Sequence, residues 1–126
     1  MIFSISILTV IGGCERDDDL VAITSFITLE PEITLSGIQT GGLLETNKDI
    51  EITEYGVCYS TSENPDINDM ISPGTDMDIT EDNNSYTIEF TSHITLLTSG
   101  TTYYIVAFVT TPTGTAYGNQ VEFTAI

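Results

Sequence analysis

Few residues in this chain have the type and spacing to do chemistry. His93 is its only histidine. A general base needs an orienting partner and a nucleophile within reach. No Ser or Cys stands in a nucleophile-elbow motif, so the chain is expected not to be an enzyme. Asp66, Asn68, Asp69, Asp76, Asp78, Glu81 and Asp82 fall in two acidic clusters. Calcium takes roughly six to eight oxygen ligands, but the Asp-x-Asp-x-Asp-Gly spacing of a calcium loop is missing. No metal site and no cofactor is expected, and loosely held calcium is the alternative these carboxylates leave open. Cys58 lies between Val57 and Tyr59 in a strand-like run. Alternation turns it away from the core, and an acidic protein offers no basic neighbour to lower its pKa. It is expected to be a structural or semi-exposed thiol. Tyr104, Val106 and Phe108 form an apolar stripe on the expected outer face of a strand. Such a stripe can be covered by a neighbouring strand's side chains or a partner domain, or it can meet a protein, and its aromatic rings can stack on sugars.

The bulk composition narrows the partners. The chain has 126 residues, 19 Asp plus Glu against 2 Lys plus Arg, and a formal charge of −17. That surface repels nucleic acid and anionic lipid at close range. Apolar residues make up 40%, too many for an acidic disordered tail. The length suits one domain and a short extra segment. Cys14 and Cys58 are the only cysteines, too few for a disulfide framework.

Residues 1–10 read MIFSISILTV. This run is too short for a membrane-spanning helix, which needs about 20 residues, and has the length of a signal-peptide core. Ile11-Gly12-Gly13-Cys14 follows and resembles the lipoprotein box of bacteria. The resemblance implies cleavage before Cys14, whose thiol then takes a diacylglyceryl anchor, with residues 1–13 as the signal. No Lys or Arg precedes the apolar run. That leaves open a start upstream of Met1, or a plain first strand over residues 2–11 with Cys14 as a buried thiol. Residues 14–19 continue as Cys-Glu-Arg-Asp-Asp-Asp, a solvated tether by composition. Beside a lipidated Cys, this acidic run resembles the surface-export signal of some Gram-negative lipoproteins. It implies an outer-membrane protein facing the cell surface. A periplasm-facing protein and inner-membrane retention are the second and third readings.

From residue 20 onward the chain shows no helical period. Short alternating runs are bounded by Gly, Pro, Asn, Asp and Ser, the pattern of an all-β domain. Strands are expected over residues 22–29, 32–39, 51–61, 67–71, 85–91, 101–111 and 115–124. Loops are expected from Gly41-Gly42 onward and over residues 76–84, and a bulge between Ile52 and Tyr55. In the second strand Ile33, Leu35 and Gly37 share a face. Ile52, Tyr55, Val57, Tyr59, Tyr103, Ile105, Ala107, Val109, Val121 and Phe123 point inward, and Tyr86, Ile88 and Phe90 share one face of their strand. About seven strands over residues 20–126 predict an immunoglobulin-like antiparallel β-sandwich.

More specific residues carry a family resemblance. Leu97-x-x-Gly100-Thr101-x-Tyr103 resembles the entry to the sixth strand of fibronectin type III domains. The resemblance implies a corner in which the Tyr103 hydroxyl bonds back to the preceding crossover, with Leu97 packed beneath. Ser99 stands where the family usually has Pro, and Gly37 where most members have Trp. Residues 55–65, YGVCYSTSENP, and 114–124, GTAYGNQVEFT, resemble fibronectin type III-like repeats of bacterial surface lipoproteins. Those act as spacers or adhesive modules. The implied function is a non-catalytic envelope lipoprotein that mediates adhesion or protein interaction through an unknown protein or glycan partner. The alternative is an accessory carbohydrate-binding surface lipoprotein.

Overall fold

The computed structural model describes residues 19–125. Cys14, the signal expected over residues 1–13 and the expected acidic tether as far as residue 18 lie outside the described residues. Among the described residues a 3-10 turn, Asp19–Ala22, leads into eight strands: β1 Ile23–Thr28, β2 Glu32–Ile33, β3 Gly37–Thr46, β4 Glu54–Ser60, β5 Met70–Asp82, β6 Ser85–Thr95, β7 Thr102–Thr111 and β8 Gly114–Thr124. The fold is all-β and antiparallel, as the alternation predicts, with sheet order β1-β3-β6-β5-β4-β7-β8 and β2 paired to β3. This order is consistent with the immunoglobulin-like expectation. No described helix is long and apolar enough to cross a membrane.

The centre of the core joins both halves of the sheet. It contains Ile38 and Leu44 of β3, Val57 of β4, Ile88, Phe90 and Ile94 of β6, Ile105, Ala107 and Val109 of β7, and Val121 of β8. Phe90 packs edge-on against Tyr55 with ring centroids 5.2 Å apart. Two glycines make that pairing fit. A Cβ on Gly42 would come within 2.6 Å of the Phe90 ring, and one on Gly74 within 2.3 Å of the Tyr55 ring. Gly41-Gly42 therefore does not open a loop. It is the middle of β3, where the backbone passes close to β6.

The longest strand was the least expected. Residues 76–84 have the composition of a loop, and the strand expected over residues 67–71 stops short of Pro73-Gly74, yet β5 runs through both. Its first residues pair with β4, ending at Pro73 opposite Gly56, and from Gly74 opposite Ser92 it pairs with β6. Proline has no N–H to give a ladder, so it suits the point where a strand leaves one partner for another. Ser92 Oγ lies 2.8 Å from the Ser72 carbonyl oxygen and pins this switch. The register slips between Thr75 and Asp78, where Asp76 has φ +55°. That bulge, rather than one near Ile52, kinks the strand; Ile52 simply precedes β4. Asn83 and Asn84, with φ of +52° and +68°, close a two-residue hairpin into β6. Both positive dihedrals match a type I′ turn.

The open edges of β1 and β8 meet, which curves the sheet into a barrel-like form. Thr28 N–H donates to Asn119 Oδ1 at 2.9 Å, and Thr28 Oγ1 donates to the Asn119 carbonyl. The same hydroxyl oxygen accepts Ala107 N–H at 2.9 Å. Thr28 thus ties three strands with one side chain.

Candidate functional site

Three candidate regions follow from this architecture: the crossover before β7, the outer face of β7, and the pole where the crossover turns.

The crossover is built from local geometry. Thr101 N–H donates to the Thr98 carbonyl at 3.1 Å, and Gly100 has φ +80°. A positive φ at the third position marks a type II turn, which favours Gly there. Gly100 N–H and Ala125 N–H then bond to the carbonyls of Ala125 and Thr101 at 2.8 and 2.9 Å. The buried Tyr103 reaches back, and its hydroxyl oxygen accepts Thr98 N–H at 2.9 Å. Leu97 is half-buried against the core. Leu97, Gly100 and Tyr103 are thereby brought into one corner.

The outer face of β7 is largely covered. Tyr104, Val106 and Phe108 do occupy the strand's second face, but they are not a free stripe. Val106 and Phe108 are buried, at 5% and 1% exposure, and Tyr104 is half-buried. Neighbouring Cys58, paired with Val106, is completely buried, a structural rather than a semi-exposed thiol. The cover is the chain's own β4–β5 connection. Asn64, at φ +62°, donates its N–H to Gln120 Oε1 at 2.6 Å. Ile67 N–H donates to Tyr117 Oη at 3.3 Å. Gln120 and Tyr117 are the β8 partners of Val106 and Phe108. Between these two clasps Pro65 is buried. A platform for sugar stacking on Tyr104 and Phe108 is therefore absent from this face.

The covering loop also accounts for one acidic cluster. Asp66 N–H donates to Asp69 Oδ2 at 2.9 Å, and Asn68 N–H donates to Asp66 Oδ1 at 2.8 Å. These carboxylates cap their own loop. Burial first, and then the charges of Asp66 and Asp69, push the Cys58 thiol up to about 12. Among the described residues no three His, Cys, Asp or Glu side chains form a group that could hold a metal ion. His93 is exposed, and its Nε2 lies 3.1 Å from Gln39 Oε1.

The pole is the third region. β3 begins there, β6 ends, β7 begins and β8 ends. A pocket of about 250 Å³ opens between Ile33, Ile38, Leu96, Leu97, Phe123 and Ala125. Ile33 is 62% exposed, Leu96 97%, and Leu35 fully exposed. Ile33 and Leu35, read as one side of a strand, thus lie open at and after the two-residue β2. Leu96 has φ +61°, an unfavourable conformation for a branched side chain. The chain enters at the other pole, where Asn47 N–H donates to the Ala22 carbonyl and Leu20 packs beside Gly114. Sequence reasoning missed Leu35 and Leu96 as surface residues. One signal was present: adjacent Leu96 and Leu97 cannot both point inward from an extended chain.

No protein-family model, curated protein or solved structure matches this chain.

Proposed function

We propose that this chain is a non-catalytic envelope lipoprotein whose one domain is a fibronectin type III-like module for adhesion or protein interaction. The single observation that carries the interaction role is the placement of the two ends. The N-terminal entry lies at one pole, and the open apolar pocket lies at the other. Strands of about ten residues, such as β3 and β7, rise roughly 3.3 Å per residue. They set the poles about 30 Å apart. A lipid on Cys14 would hold the first pole toward the membrane, and the second would face outward.

Ile11-Gly12-Gly13-Cys14, after ten apolar residues and before the acidic run, supports the anchor. The fibronectin type III reading draws support from the strand order and the Tyr103 corner. Outer-membrane attachment at the cell surface rests on the resemblance of the acidic tether to surface-export signals. Mass spectrometry of the mature protein from a Gram-negative host tests the anchor. The expected N-terminus is Cys14 carrying diacylglyceryl, and an unmodified Met1 contradicts the proposal. Protease digestion of intact cells tests the leaflet, with loss of the domain expected.

A further inference from the structure

The pole pocket combines three features that a purely structural end would not need. Ile33, Leu35 and Leu96 are apolar and open to water. Leu96 in addition holds a left-handed backbone at φ +61°, where Asn or Gly would be less strained. Both costs fall on one residue at the pocket mouth. The pocket volume of about 250 Å³ is below the roughly 300–1,000 Å³ of sites for drug-sized ligands. It matches a protruding side chain better than a cofactor.

Charge selects the occupant. Exposed Glu32 and Glu122 immediately precede the lining residues Ile33 and Phe123. Lys48, the one Lys or Arg among the described residues, follows the end of β3 at the opposite pole. A second copy would bring another chain of net charge −17 to this mouth, and an anionic bilayer would be repelled likewise. We infer that the pole docks a protein segment that inserts an apolar side chain into the pocket between Leu96 and Ile33 and surrounds it with Lys or Arg. This deepens the interaction reading above and rests on it for its biological setting. The apolar anchor supplies contact area, and the basic flanks steer the encounter and exclude acidic partners.

The test uses the full chain and three synthetic hexapeptides: alternating Lys-Leu, alternating Lys-Ser and alternating Glu-Leu. Isothermal titration gives affinity, and amide chemical-shift mapping gives location. The Lys-Leu peptide should bind at least about tenfold more tightly than either control. It should shift the amides of residues 33–38, 96–97 and 123–125, and weaken about fivefold or more between 50 and 500 mM salt. Leu35→Ser with Leu96→Asn should abolish this binding while leaving the amide spectrum dispersed. Leu96→Asn alone is the second variant, because Asn tolerates that backbone, and it too should weaken binding.

Equal binding of Lys-Leu and Glu-Leu would overturn the proposal, as would equal binding of Lys-Ser, or shifts located elsewhere. Self-association through these residues would overturn it in favour of a second copy. Attachment to phosphatidylcholine vesicles that is lost in the double variant would overturn it in favour of a lipid surface. Pocket and anchor fail separately. Peptide shifts away from the pole refute the pocket and leave the lipoprotein reading intact. An unmodified Met1 in cells refutes the anchor and leaves the pocket intact.

Discussion

Two apolar regions of this domain meet opposite fates. On the outer face of β4, β7 and β8, the stripe of Cys58, Val106 and Phe108 is roofed by the protein's own loop, with Pro65 buried beneath the clasps of Asn64 and Ile67. At the pole, Ile33, Leu35 and Leu96 have no roof. Both regions contain large apolar side chains, and only the pole retains them in water. Sequence alternation tells which way a strand residue points. It does not tell whether another segment folds across that direction. The covered region contributes to stability, and the open one leaves apolar surface in water.

Substitutions should separate the two regions sharply. Phe108→Ala removes a ring that is 1% exposed, and should cost about 3–5 kcal/mol in urea denaturation. A loss near zero would mean the roof does not exclude water.

Alkaline titration should give the next largest effect. The folded thiol of Cys58 titrates near 12 against 9.0 for the free group. The unfolded chain therefore releases this proton first, and folding is favoured below pH 9. That contribution falls away as the pH rises from 9 toward 12, by at most about 1.4 kcal/mol per unit. Stability measured across that window should decline less in Cys58→Ala than in the natural chain. Parallel declines would place the thiol in water.

Tyr103→Phe deletes the acceptor for Thr98 N–H and should cost about 1 kcal/mol, because Thr98 is exposed and water can replace the bond. The smallest effect belongs to the pole. Leu96→Asn should change stability by no more than about 0.5 kcal/mol, with any change toward greater stability because the φ of +61° suits Asn. A large destabilisation there would make Leu96 a core residue and dissolve the contrast.

Much of the fold was legible. β7 and β8 follow from clean alternation and a turn, and the inward residues Val57, Ile105 and Val109, with Ile88 and Phe90 of one alternating face, all lie in the core. β5 was not legible because its residues from Asp78 to Asp82 are exposed on both faces, so nothing in its polarity alternates. The Asn83-Asn84 hairpin was its one local signature. Gly41-Gly42 misled because a glycine that makes room for an aromatic ring looks, in sequence, like one that turns the chain. The roof over Phe108 was hidden for a different reason. Residues 61–69 have turn composition, and the contact that matters joins Asn64 to Gln120, far apart in the chain. The pole was hidden because Ile33 and Leu35 have the spacing of a buried strand face. Only the early end of β2 at Ile33 leaves them outside.

Carbene footprinting of the native protein, read by peptide mass spectrometry, tests the contrast most directly, since a photolysed diazirine labels side chains according to their exposure. The account predicts strong labelling of Leu35 and Leu96 and protection of Val106 and Phe108. Equal labelling of the two regions, or stronger labelling of residues 106–108, would contradict it.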